Sequence, residues 1–146
     1  MNDAAQVTLR TATEADAERL ATLLTEEGYP AGASDLASRI ARFATPASRV
    51  VVAEAGGDVI GFVAFHIVPR FETDDRFVRI VTLVVDPGVR DRGIGHLLMA
   101  EAERVAREEG AAYLEITAGH HRPEARQLYE SLGYEAGVTT YLRKRP

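Results

Sequence analysis

The sequence has 146 residues, of which 46% are hydrophobic, with 17 basic and 22 acidic side chains and a formal net charge of −5. That length suits one domain, 1–146, with a real apolar core, and the charge leaves no global basic field for nucleic acid or an anionic membrane. With no cysteine there can be no disulfide, thiolate metal site or Cys nucleophile. With no ~18-residue apolar run and no signal-like N-terminus, the expectation is a soluble cytoplasmic protein.

Two periodicities alternate along the chain. Val7 to Leu9 reads as a short strand. Thr13 can cap a helix with Asp16 as a capping-box partner, and Ala17, Leu20, Ala21 and Leu24 form its apolar stripe up to Gly28. Ser34 can cap a second helix carrying Leu36, Ile40 and Phe43 on one face, ended by Pro46. Val50 to Ala53 and Val59 to Val68 flank Gly56-Gly57-Asp58, a hairpin signal. Phe77 to Val85 is long and β-branched, which suits an interior strand. Asp86-Pro87 breaks it, and a helix follows from near Gly93 to Gly110. Tyr113 to Thr117 is another strand, expected parallel to Phe77–Val85 because a helix intervenes. Pro123 opens a last helix with Ala125, Leu128, Tyr129 and Leu132 on one face, and Tyr134 to Leu142 gives one or two closing strands. The predicted order is β-α-α-β-β-β-α-β-α-β-β: an α/β domain with helices on both faces of a mixed sheet.

The turn Arg90-Asp91-Arg92-Gly93-Ile94-Gly95 opens the third helix. The first N–H groups of a helix lack intrahelical partners and lie at the positive end of its dipole. Glycines 93 and 95 would let an anion approach the backbone, and two arginines add charge. The loop is no P-loop, since no Gly-Lys-Ser/Thr follows, and no dinucleotide fingerprint, since Leu98 stands at the third glycine. Read alone, it is equally a tight turn with two solvated arginines. Tyr129 is likewise either a core residue of an apolar face or a phenol with a function.

Leu83-Val84-Val85-Asp86-Pro87 followed by Arg90-x-x-Gly93-x-Gly95 resembles the acetyl-CoA signature of the GNAT superfamily of N-acetyltransferases. His121 to Tyr134, with Ala125, Tyr129-Glu130 and Gly133-Tyr134, resembles that family's later motif, and the element order matches over nearly the whole chain. The resemblance implies an acetyl-CoA-dependent enzyme that passes the acetyl group to a primary amine by direct attack. Backbone groups from Arg90, Asp91, Arg92, Gly93, Ile94, Gly95 and His96 would hold the pyrophosphate. The pantetheine arm would lie along Leu83 and Val85 like an added strand, and a backbone N–H near Val84 would steady the thioester oxygen. Tyr129 aligns with the family's acid.

Three positions depart from the family pattern. Val81 replaces a frequent Glu, so a direct carboxylate base is missing there. Arg122 replaces a frequent Asn and could contact CoA or merely cap the helix. Asp91 replaces a frequent glycine and places negative charge beside the phosphates. Candidate bases are His66, His120, His121 and Glu115, or a water chain. No third ligand stands at zinc-binding spacing, so no metal is expected. The segment Glu26-Glu27-Gly28-Tyr29-Pro30 suits a cationic amine, with Glu26 and Tyr29 as acceptor contacts, or is simply a solvated helix end. Arg70 to Asp75 could border the site, and Arg143-Lys144-Arg145 reads as a solvated tail. The acceptor is a small-molecule or peptide amine, and family resemblance allows a homodimer. The competing readings are a catalytically silent acyl-CoA-binding module, which Val81 keeps open, and a structural domain that binds no CoA.

Overall fold

The computed structural model describes residues 6–89, 92–117 and 123–146. Its elements are β1 (Thr8–Thr11), α1 (Ala17–Glu26), α2 (Ala33–Arg42), β2 (Ser48–Ala55), β3 (Asp58–Pro69), β4 (Arg76–Val85), α3 (Ile94–Glu108), β5 (Ala111–Ile116) and α4 (Pro123–Ser131). One sheet runs in the order β1-β2-β3-β4-β5. The first three pairings are antiparallel and β4 pairs β5 in parallel, as the intervening helix requires.

Helices cover both faces of the sheet. Leu20, Leu23 and Leu24 of α1 and Leu36 of α2 pack on Val52, Phe62 and Val84. On the other face, Leu98, Met99 and Ala102 of α3 and Tyr129 of α4 pack on Val63, Phe65, Val78 and Ile80. This explains why β3 is buried almost without alternation: a strand covered on both faces becomes a continuous apolar run. None of the helices, among the described residues, is long and apolar enough to cross a membrane.

The entry to α1 follows the sequence closely. The Thr13 backbone N–H donates to Asp16 Oδ2 at 2.7 Å, and a short 3-10 turn, Glu14–Asp16, leads into the helix. Arg10 of β1 donates to both oxygens of the same carboxylate, at 2.8 and 2.9 Å. Asp16 therefore ties the first strand to the first helix. The second helix is capped at Gly32, two residues before the expected cap Ser34, with the Gly32 N–H donating to Asp35 Oδ2 at 2.9 Å.

One expected pair of elements does not form. Tyr134 to Leu142 carries no strand. Gly137 turns the chain in the left-handed region at φ 76°, and Val138 and Leu142 stay 73% and 92% exposed. Without apolar burial nothing offsets the entropy of ordering a further strand. The mixed sheet with helices on both faces is otherwise as expected, with β5 at its edge.

The Asp16 carboxyl is held below its ordinary range chiefly by the hydrogen bond from Arg10, with the Thr13 N–H adding to it and burial opposing. Its contribution is present above the unfolded value of about 4 and is lost as pH falls through the lower folded value. Asp16→Asn should cost roughly 1–3 kcal/mol at neutral pH, and the gap should close as acid protonates the native carboxylate. Urea melts of both proteins from pH 7 down to pH 2 test this, and a gap independent of pH would refute it.

Candidate active site

The site begins where two parallel strands stop pairing. β4 and β5 pair from Arg76↔Ala111 to Ile80↔Ile116, with a register shift between Arg76 and Val78, but β4 continues to Val85. Residues 81–85 thus have no strand partner on their β5 side among the described residues. The pairing stops where β5 itself ends, at Ile116, and a bulge in β4 lies just beyond the last pair. The β3–β4 register passes from Ala64↔Thr82 to Phe65↔Ile80, so Val81 is an extra residue in β4. A bulge bends its strand and increases the local twist. Openings at the carboxyl ends of parallel strands are where α/β sheets take ligands.

A cavity of about 560 Å³ lies at this opening. Leu83 and Val84 of β4, Thr117 beyond β5, and Tyr129 of α4 form one side, and Tyr29 faces them from the segment after α1. Tyr129 is 9% exposed. It is placed by the end of α4: the Tyr134 N–H donates to the Tyr129 carbonyl and the Gly133 N–H to that of Glu130, with Gly133 at φ 91°. This is a Schellman closure. It tucks the Tyr134 ring edge-on against Tyr129 at 6.2 Å. The Tyr134 hydroxyl is buried with no hydrogen-bond partner among the described residues. Burial first, then the charge of Glu103, push its pKa far above the ordinary phenol value, so Tyr134 does not titrate in the physiological range.

The strand-to-helix turn is anchored from behind. Asp86 pairs with Arg19 of α1 at 2.5 Å, and its Oδ1 accepts the Gly88 N–H at 2.9 Å. Arg19 also donates to the Val59 carbonyl at 2.9 Å. Gly93 precedes α3 at φ 75°, ψ 16°, the left-handed region that glycine adopts without steric cost. Arg92 and His96 lie exposed at the helix start, and Ile94 is buried.

The two loop glycines do different jobs. A Cβ on Gly93 would meet open space, as expected of a residue that leaves room for a ligand. A Cβ on Gly95 would lie 3.2 Å from Leu128 Cδ2. Gly95 therefore lets α3 lie close to α4, a packing role that the sequence did not suggest. A third glycine went unnoticed in the sequence: a Cβ on Gly61 of β3 would lie 2.9 Å from the Val84 carbonyl oxygen and 3.3 Å from both Ile94 and Leu98. Gly61 lets α3 settle over the end of β4.

The candidate acceptor and base residues sort by place. Tyr29 lines the cavity, but Glu27 rather than Glu26 stands beside it; one residue along a helix end is a rotation of about 100°, and Glu26 is exposed. His66 does not line the cavity. Its ring stacks on Phe43, which does, at 4.6 Å, and its Nδ1 shares a 2.8 Å hydrogen bond with Ser48 Oγ. Glu115 is paired with Arg79, beside a small adjoining cavity that shares Val81, Ile116 and Thr117 with the large one and where Arg79 lies 5.3 Å from the Tyr141 ring centre. The Tyr141 phenol is raised, by burial first and then by Glu115. Arg70 to Asp75 forms the β3–β4 hairpin, closed by Arg70–Asp75 at 3.3 Å, at the far end of β4 from the cavity. Arg90, Asp91, His120, His121 and Arg122 lie outside the described residues. Sequence reasoning did not anticipate Arg39 of α2 or Arg143 of the tail, both of which line the large cavity. No group of three or more His, Asp or Glu side chains among the described residues could hold a metal ion.

A model of the acetyltransferase (GNAT) family matches residues 15–134, and the chain belongs to that family. It is 34% identical over 134 residues to the uncharacterized N-acetyltransferase YhfO of Bacillus subtilis, covering 87% of this chain and 89% of that protein. It is 30% identical to the N-alpha-acetyltransferase RimI of Mycobacterium tuberculosis, covering 91% of this chain and 81% of the relative. In fold it resembles the aminoglycoside N-acetyltransferase AAC(6')-Iy solved in complex with CoA, with a TM-score of 0.80 at 20% identity over 96% of this chain and 95% of that one. The chain is an N-acetyltransferase.

The glycine geometry has measurable consequences. Gly61→Ala drives a Cβ into a backbone carbonyl and should cost roughly 1–3 kcal/mol. Gly93→Ala forces an L-residue into the left-handed region at about 1–2 kcal/mol. Chemical denaturation of both variants checks this, and wild-type stability in Gly61→Ala would show that β4 does not need the close approach.

Proposed function

We propose that the chain transfers the acetyl group of acetyl-CoA to a primary amine by direct attack within a ternary complex. The observation that carries this reading is the placement of the buried Tyr129 phenol on the cavity, beside the unpaired edge of β4.

The chain's own groups divide the work. The start of α3, with Arg92, Gly93, Ile94, Gly95 and His96, offers N–H groups at a positive helix end and holds the pyrophosphate, together with Arg90 and Asp91 of the motif; Arg122 adds a cation. The edge of β4 at Leu83 and Val85 takes the pantetheine arm by strand addition. The free edge and the open space above Gly93 fit such a ligand. A backbone N–H at Val84 stabilises the thioester oxygen as charge develops. The amine nitrogen attacks the carbonyl carbon, a C–N bond forms and the C–S bond breaks. Tyr129 gives its proton to the departing sulfur and regains one from solvent, and the amine loses its proton in turn.

The base is narrowed by exclusion. Val81 has no carboxylate, Glu115 is engaged by Arg79, and Phe43 stands between His66 and the cavity. Glu27, which lines the cavity, and water remain, together with His120 and His121. A catalytically silent acyl-CoA-binding module is the second reading, and the observation that favours it is Val81, exposed at 45% where a base would stand.

Thiol release from acetyl-CoA across a broad amine panel separates the two. Turnover with any amine supports the transferase, whereas tight CoA binding with no turnover supports the silent module. Tyr129→Phe should lower kcat by about 10²-fold or more while the acetyl-CoA KM changes little. An unchanged kcat, with chemistry rate-limiting, would remove Tyr129 as the acid.

A further inference from the structure

The large cavity is not lined by apolar groups and Tyr129 alone. Arg39, from the last turn of α2, and Arg143, from the chain's C-terminal segment, both reach it. Neither has a hydrogen bond or ion pair among the described residues. This sets them apart from the arginines of the sheet and of α1. Arg10 is held by Asp16 and Glu54, Arg19 by Asp86, Arg49 and Arg76 by Glu109, and Arg79 by Glu115. In a chain of net charge −5, two uncommitted guanidiniums on one cavity form a local field opposite in sign to the whole.

Arg39 also stands apart from the pyrophosphate end: it belongs to α2, on the α1 side of the sheet, whereas α3 packs on the other face. Glu27 and Tyr29, at the end of α1, line the cavity too. The α1–α2 side of the cavity therefore carries a carboxylate, an aromatic ring and a cation, and Arg143 lines the same cavity.

We infer that the acceptor is a small amine that also carries an anionic group, a carboxylate or a phosphonate, which Arg39 and Arg143 hold while the amine points to the thioester. The inference rests on the acetyl transfer proposed above and names its substrate class. A guanidinium presents paired donors in a planar fork that matches both anions. Holding the anion fixes the far end of the substrate and so orients the nitrogen for attack. The alternative role for Arg39 is to complement the C-terminal end of the α2 dipole. That role would affect helix stability and not the choice of acceptor.

The test uses acetyl-CoA and matched pairs of small amines: ω-amino carboxylates and ω-aminophosphonates of increasing length, each against its neutral amide or alcohol counterpart. Thiol release gives kcat/KM for every member. Wild type should prefer the anionic member of the best-used pair by roughly tenfold or more, a size typical of one charge-assisted contact. Arg39→Gln and Arg143→Gln should each shrink that ratio severalfold, Arg39→Glu should reverse it, and the acetyl-CoA KM should hold within about twofold. Comparing ratios between variants cancels the intrinsic reactivity of each amine. The carboxylate and phosphonate series show which anion is used.

Equal use of both members by wild type would overturn the inference and leave the transferase intact. So would variants that melt lower but keep the wild-type ratio, since Arg39 would then serve only its helix. A raised acetyl-CoA KM with an unchanged ratio would assign the arginines to CoA's phosphates and overturn it as well. No turnover with any amine, neutral or charged, would overturn the proposed transfer itself and the acceptor assignment with it.

Discussion

The β4–β5 pairing ends at Ile80↔Ile116, and the rest of the site depends on that ending. If the two strands stayed paired to Val85, the opening would be closed by backbone hydrogen bonds. The extra residue at Val81 adds to this, because a bulge bends β4 just beyond its last pair with β5. What remains is a stretch of strand edge inside a folded protein, an arrangement that proteins normally cover or blunt. Here one side of the opening is closed by Tyr129 and the other by the segment after α1.

Three glycines and one ion pair hold that geometry. Gly61 lets α3 approach the end of β4, Gly95 lets α4 approach α3, and Gly93 turns the chain between strand and helix. Asp86, bonded to Arg19, fixes the turn to α1 on the opposite face of the sheet. The start of α3, the β4 edge and Tyr129 are therefore parts of one packed unit rather than loop residues gathered by chance. Rigid support of this kind places reacting groups within the small tolerances that positional catalysis demands.

Much of this was legible in the sequence wherever a residue's role is local. The α1 stripe, the Thr13–Asp16 cap and the strand-helix-strand crossover follow from periodicity and turn chemistry alone. The motif residues Leu83, Val84 and Tyr129 come together on one cavity. What the sequence hid depends on pairing or on distant contacts. The Val81 bulge exists only in the β3–β4 register, and Gly61 matters because of a carbonyl 23 residues further along the chain. The packing role of Gly95 was hidden because its contact with Leu128 is non-local. Arg143 looked like a solvated tail because nothing near it in sequence points to a cavity. The closing strands were read from residue type, yet Val138 and Leu142 find no surface to bury them.

The central claim is that the open edge of β4 receives the acetyl donor. Amide hydrogen exchange at residues 81–85, measured with and without acetyl-CoA, tests it most directly. Strand addition by the pantetheine arm predicts that exchange slows by at least about tenfold in that stretch and at the start of α3, with β1 and β2 unchanged. Binding that leaves the amides of residues 81–85 exchanging at their free rate would contradict it.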